Sequence, residues 1–278
     1  MPELPEVQTV VDDLLAADVV GATITSARVY WPRTVEGLSP QAFRRRLVGL
    51  AVTAIRRRGK FIVLDFTDGR HLLIHLRMTG HLELSSPAVN RSRHQHVILG
   101  LGPHRELRFS DPRKFGRFYL ADNAGAMLDR LGPEPLAPAF TSRILHARLR
   151  SRRRVLKPLL LDQRFIAGLG NIYVDEALWE ARLHPARRSD SLDGEESRAL
   201  HRAIRKVLRR GLKNLGTTLG SGRTTFYSVG RRQGRNRDQL RVFRRTGDPC
   251  PRCRGLIVRI VLGQRSTHLC PSCQRSVP

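Results

Sequence analysis

The chain has 278 residues, of which 40% are hydrophobic and 27% charged, enough for two domains with real cores and too apolar for a disordered chain. There is no run of about 18 apolar residues, which excludes a membrane-spanning helix. The acidic N-terminus lacks the apolar centre of a signal peptide, so a cytoplasmic protein is expected. Fifty Lys and Arg against 24 Asp and Glu leave a formal charge of +26. Residues 223–278 alone hold thirteen Arg and two Asp, although only five of the fifty basic residues are Lys and part of the bias is a taste for Arg. A surplus of this size and skew points to a polyanionic partner, nucleic acid first.

In chain order, Val7, Val10, Val11, Leu14 and Leu15 repeat at helical spacing, with Pro5 in the first turn and Glu3 and Glu6 at its positive end. From 22 to 122 the pattern changes to short strands: ATITSARVY, KFIVLDF, HLLIHLR, HVILGL, ELRFSD and RFYLAD, parted by turns such as Asp68-Gly69. Such a succession predicts an antiparallel sandwich or barrel. LGPEPLAP (131–138) has three prolines and reads as a linker. Helices are predicted over about 141–163, from Asn171, and over about 194–214, followed by a mobile Gly/Arg/Ser-rich loop at 221–239. Strands near LRVF and LIVRIVL close the chain. The fold class is α+β and multidomain: an N-terminal β-sandwich with an N-terminal helix over 2–130, a linker at 131–140, a helical domain at 141–222, and loop plus ribbon at 223–278.

All four cysteines lie near the C-terminus, as Cys250-x2-Cys253 and Cys270-x2-Cys273 with sixteen residues between the pairs. Disulfides are disfavoured in the cytoplasm, and two knuckles of this spacing can close a tetrahedron around one structural Zn²⁺. Pro251 and Pro271 suit the two turns. At the other end, MPELPEV places a proline after Met1. Removal of Met1 would free a secondary amine, and α-amino groups titrate near about 7.7–8.0. A neutral amine can attack a sugar carbon and form an iminium, with Glu3 beside it as an acid. Taken alone, Pro2 and Pro5 read as prolines that merely shape a helix entry, since Pro near a helix start is common. His94-x-His96 admits a metal reading, weakly, since no acidic run accompanies it.

MPELPEV and the CPRC…CPSC ribbon resemble formamidopyrimidine-DNA glycosylase. So do RRGKFIVLDF, IHLRMTGHLEL, RHQHVILGL, FSDPRKFGRF, LGPEPL, LKPLLLDQRFIAGLGNIYVDEAL and QRSTHLCPSCQ, in the family's order across nearly the whole chain. The resemblance implies a β-sandwich, a helix–two-turn–helix module and a zinc ribbon, with double-stranded DNA bound between the domains. It implies a bifunctional glycosylase and AP lyase acting on 8-oxoguanine, formamidopyrimidines and abasic sites in a bacterial, nucleoid-associated setting, as a monomer.

Residue by residue, Pro2 resembles the family nucleophile and Glu3 the carboxylate that protonates the sugar. Glu6 matches a second glutamate that orders water or the N-terminus. Lys60 matches the strand lysine that assists elimination, and Arg265 the ribbon arginine that grips phosphates at the lesion. Met78, Arg113 and Phe115 match the trio that fills the gap left when a nucleotide flips out, a step costing a few kcal/mol. Taken alone, Met78 and Phe115 would be core residues. His94, Arg152 and Lys157 match DNA contacts, and Asn171 a phosphate ligand at a helix N-terminus. Arg77 departs from the pattern, which usually has glycine there. FYSVGRRQGRNRDQL resembles the loop that caps the lesion. An endonuclease VIII-like enzyme for oxidised pyrimidines is the nearest alternative, but it usually has Gly at the position of Leu4 and lacks the Met78/Arg113/Phe115 pattern. A non-catalytic damaged-DNA binder would not need Pro2, Glu3 and Lys60 together.

Overall fold

The computed structural model describes residues 2–220 and 226–276. They divide into an N-terminal unit, 2–129 with 212–220 and 226–237, and a C-terminal unit, 130–211 with 238–276. This division differs from the boundaries read in the sequence. The proline-rich 131–140 is part of the C-terminal unit: Gly132 N–H donates to Gln163 O at 2.8 Å, Arg205 Nη1 to Pro135 O at 3.0 Å, and His201 bonds Phe140 O at 2.7 Å. Its prolines supply no N–H, so besides the Gly132 N–H the segment is held through the carbonyls of Pro135 and Phe140.

In the N-terminal unit, α1 (Leu4–Ala16) buries Val7, Val10, Val11 and Leu14. Two antiparallel four-stranded sheets follow. One has the order β1 (Ile24–Val29), β6 (Gln95–Leu101), β7 (Arg105–Ser110), β5 (His81–Ser85). The other runs β2 (Val52–Arg58), β3 (Phe61–Phe66), β4 (His71–His75), β8 (Arg117–Ala121). Their inner faces and α1 share one core, including Ile24, Leu99, Phe109, Ile62, Leu72 and Phe118, which makes a sandwich. Two strands escaped the sequence pattern. β2 is written in VTAIRRR, where Arg56–Arg58 mask the alternation, and β5 is a five-residue edge strand. The helix α2 (Pro40–Leu47) was also missed; Ser39 caps it through Ala42 N–H, and it buries only Phe43 and Leu47. A single turn, α3 (Gly125–Leu128), ends the sandwich segment.

The segment expected to be a mobile loop lies partly outside the described residues, at 221–225. Its described part within the N-terminal unit, 226–237, is held to the sandwich: Val229 is buried in the core, Gly230 N–H donates to Asp13 Oδ2 at 3.2 Å, and Arg232 pairs with Asp13.

In the C-terminal unit the helix expected over 141–163 is two helices, α4 (Ser142–Arg150) and α5 (Leu156–Leu161). Pro158 explains the break, because in a continuous helix its ring would meet the carbonyl of Arg154. α6 (Asn171–Glu180) is buried along nearly its whole length. α7 (Gly194–Lys213) buries Leu200, Ala203, Ile204, Val207, Leu208 and Gly211 along one stripe. Gly211 permits close approach, since a Cβ there would lie 2.5 Å from the Tyr173 hydroxyl. The ribbon hairpin is β9 (Val258–Leu262) with β10 (Arg265–Leu269). The strand expected at LRVF is absent. The N–H groups of Arg241, Val242 and Phe243 converge instead on the Glu176 carboxylate at 2.9, 2.9 and 3.0 Å, which uses up the donors a ladder would need. No described helix is long and apolar enough to cross a membrane.

Candidate DNA-repair site

Pro2, Glu3 and Glu6 are all buried at the head of α1. Glu6 accepts the Glu3 backbone N–H at 2.8 Å and the Thr217 N–H at 2.7 Å, so one carboxylate ties the N-terminus to the segment after α7. α1 lies against β2 and β3, the hairpin that carries Lys60 beside its turn glycine, Gly59 (φ 57°). Lys60 is itself buried, at 6% exposure. Pro2, the Glu3 carboxyl and the Lys60 side chain are thereby carried by neighbouring elements of one unit.

Two turns of the same unit carry the predicted gap-filling trio. Met78 and Phe115 are exposed, at 37% and 45%, although each would pass for core in the sequence. The Arg113 guanidinium lies 4.8 Å from the Phe115 ring centre. Asp111 is fully buried beneath them. Its Oδ1 accepts the Thr79 hydroxyl and the Arg113 N–H at 3.1 Å, and its Oδ2 the N–H groups of Phe115 and Gly116, both at 2.7 Å. His94 is half-buried and lines a cavity of about 780 Å³ with His81, Glu83, Ser110 and Arg231. His96 is buried against the Asp111 carbonyl at 2.8 Å. The His-x-His pair is not gathered with acids; among the described residues only the cysteines cluster as metal ligands.

In the C-terminal unit Asn171 opens α6 behind Gly168 (φ 86°), as the Gly-x-Gly turn implied. Its side-chain Nδ2 donates to Ser266 O at 3.0 Å. Arg152 is exposed just past α4, and Arg265 is exposed at the start of β10. The structure corrects the expectation for Lys157, which is wholly enclosed. Its ammonium donates to Asp175 Oδ1 at 2.5 Å and to Ser266 O at 2.9 Å. Asp175 Oδ2 accepts the backbone N–H of His268 at 2.9 Å and bonds His268 Nδ1 at 3.0 Å. Lys157 therefore fixes the hairpin that bears Arg265 rather than meeting solvent.

The four cysteine sulfurs lie within 4.8 Å of one another, with Cys250–Cys273 at 3.9 Å and Cys253–Cys270 at 3.4 Å. Zn–S bonds of about 2.3 Å in a tetrahedron require sulfurs roughly 3.8 Å apart, so the set fits one Zn²⁺ with no position left for water. Burial pulls the Cys250 thiol up, but backbone N–H groups and the Trp179 indole (3.4 Å from Sγ) outweigh it and bring it to about 6. Burial and the neighbouring thiols push Cys273 up to about 12. Four thiols crowded together resist sharing negative charge, and a dication removes that resistance.

Three family descriptions match the chain: "Formamidopyrimidine-DNA glycosylase N-terminal domain" over 1–118, "Formamidopyrimidine-DNA glycosylase H2TH domain" over 131–222, and "Zinc finger found in FPG and IleRS" over 247–275. The formamidopyrimidine-DNA glycosylases of Roseiflexus sp. and Protochlamydia amoebophila are 47% and 42% identical, over 99% of this chain and 100% of each relative. The chain belongs to the formamidopyrimidine-DNA glycosylase family. Among solved structures, the Lactococcus lactis Fpg with abasic-site DNA superposes with a TM-score of 0.90 at 33% identity, covering 99% of this chain and all of that one. A MutM complex with carbocyclic 8-oxo-G DNA superposes with the same score at 34% identity and 99% coverage of this chain.

Against the family pattern, Arg77 is the notable residue. It sits at φ 57°, the left-handed region that favours glycine, and donates its N–H to His75 Nδ1 at 3.0 Å. The chain thus carries a long side chain where the backbone conformation favours glycine. Sequence reasoning missed Asp111, Thr79, Asp175 and Glu176. Asp-Pro before a turn is a signal that could have found Asp111. Two adjacent acids inside the apolar NIYVDEALW should have announced buried partners.

Proposed function

We propose that this chain is a bifunctional DNA glycosylase and AP lyase that removes 8-oxoguanine and formamidopyrimidines from duplex DNA. The observation that carries this reading is the burial of Pro2 and Glu3 at the head of α1, against the hairpin that presents Lys60. The secondary amine of Pro2, freed by loss of Met1, attacks C1′ of the damaged nucleotide. Glu3 donates a proton to the sugar ring oxygen as the C1′–O4′ bond breaks, the base leaves C1′ with its bonding pair and takes up the proton given up by the Pro2 amine, and the opened sugar remains as an iminium on Pro2. Loss of a C2′ proton expels the 3′ phosphate, and a second elimination expels the 5′ phosphate, leaving a one-nucleotide gap. Lys60 supports elimination, and Arg265 holds a phosphate. His94, Arg152 and Asn171 hold the DNA backbone, while Met78, Arg113 and Phe115 occupy the space of the flipped nucleotide.

Zinc, held by Cys250, Cys253, Cys270 and Cys273, supplies rigidity to the hairpin bearing Arg265 and no chemistry. The work is done in the bacterial cytoplasm, on the nucleoid. Borohydride with an abasic duplex is expected to trap a covalent adduct on Pro2, located by peptide mass, in protein lacking Met1. Absence of the adduct from such protein overturns the nucleophile assignment. A cleavage panel of 8-oxoguanine, formamidopyrimidine and dihydrouracil duplexes separates this reading from the endonuclease VIII-like one.

A further inference from the structure

The two exposed turns of the N-terminal unit are not separate features. Residues 76–80 carry Met78, and residues 111–116 carry Arg113 and Phe115. Between them stand two buried groups. The first is the Asp111 carboxylate. A carboxylate offers about four acceptor positions, and here four donors fill them: Thr79 from one turn, and the N–H groups of Arg113, Phe115 and Gly116 from the other. The second is the Phe109 ring. A Cβ on Gly80 would lie 2.8 Å from it and one on Gly116 only 2.2 Å, so both turns are pressed against the same ring. Lys114 between Arg113 and Phe115 holds a left-handed φ of 59°, as Arg77 does beside Met78 at 57°. Backbones in that region persist only when their surroundings fix them.

We propose that Asp111 is a positioning residue for opening the duplex, and that its bond with Thr79 locks Met78, Arg113 and Phe115 into one preformed wedge. The inference rests on the glycosylase reading above. A preformed wedge enters the stack without first being ordered, so part of the cost of flipping is met before DNA arrives. Thr79 touches neither exposed tip through its hydroxyl. It acts only through Asp111, and that bond is the one side-chain hydrogen bond between the turns among the described residues.

The test uses full-length, zinc-loaded protein and two kinds of substrate: 8-oxoguanine duplexes with cytosine or adenine opposite, and a single-stranded abasic oligonucleotide, in which there is nothing to open. Thr79→Val is expected to leave single-strand abasic cleavage within about twofold of the parent. Single-turnover excision from the duplex is expected to fall about tenfold, the order produced when a buried acceptor loses its donor, and the preference for cytosine opposite the lesion to shrink. Thr79→Ser, which keeps the hydroxyl, restores both. Asp111→Asn gives a larger loss of the same kind, since an amide nitrogen then faces a donor. If it fails to fold, Thr79→Val and Thr79→Ser decide the matter. Parallel loss on both substrates, no loss on either, or no rescue by serine overturns the proposal while leaving the glycosylase reading intact. A parent protein that cleaves neither substrate overturns the glycosylase reading and the proposal with it.

Discussion

His75 shows how one buried side chain records its surroundings. Burial, then the charges of Arg77 and Lys60, lower its pKa to about 3. The neutral ring is what the structure needs, because Nδ1 must be unprotonated to accept the Arg77 N–H. The sign of the pH effect follows. Between about 3 and the ordinary value of 6.5, the unfolded chain binds a proton that the folded chain refuses. Stability is therefore intact above pH 6.5 and is lost as pH falls below it, at up to about 1.4 kcal/mol per pH unit from this group. His81 and His96, also lowered chiefly by burial, tilt the curve the same way. Replacing His75 with Asn keeps an acceptor and removes the titration. Urea unfolding at pH 7 and pH 5 is expected to show a smaller stability difference for His75→Asn than for the parent. Equal differences would contradict the assignment.

At the scale of elements, α6 is the frame of the C-terminal unit. Its adjacent acids divide the work: Asp175 takes Lys157 and His268, and Glu176 takes the amides of 241–243 and Arg210. Burial pushes the Glu176 carboxyl up, against the opposing pull of those amides and Arg210. Lys157 and Asp175 are both wholly buried, so the pair is worth little against an apolar replacement of both partners, yet losing one partner strands the other charge. Lys157→Met is expected to destabilise the unit by about 3 kcal/mol or more, read by chemical denaturation. The double variant Lys157→Met/Asp175→Leu is expected to recover part of that loss. A single-variant cost below about 1 kcal/mol would show that water or another cation reaches Asp175.

For the whole molecule, the surplus of +26 and the arginine-rich C-terminal stretch give it affinity for phosphates that is long-ranged and indifferent to sequence. The fold gives that charge an address. Arg265 stands on a hairpin fixed at one side by Lys157, Asn171 and Asp175, and at its base by the cysteine cluster. Cys273→Ser is expected to lose stoichiometric zinc and to weaken binding to an abasic duplex, with the N-terminal sandwich still folded. Metal content and duplex titration check this; full zinc with the parent's affinity would mean that the ribbon does not need its fourth thiolate.

The sequence by itself determined the parts whose signal is local or repeated. The cysteine spacing, the helical period of α1, the alternating strands of the sandwich, the charge excess and the family motifs all lie in short stretches read without knowing what packs on them. What only the tertiary structure decided depends on partners distant in sequence. Lys157 sits in a basic stretch like a surface lysine, yet Asp175 and Ser266 bury it. LRVF has the composition of a strand, yet Glu176 takes its amides. Met78 and Phe115 have the composition of core, yet Asp111 and Phe109 hold their turns so that both stay exposed. For LRVF the local strand preference spans only about 1 kcal/mol; in all three cases a buried charge or saturated carboxylate that must keep its partners decides the outcome.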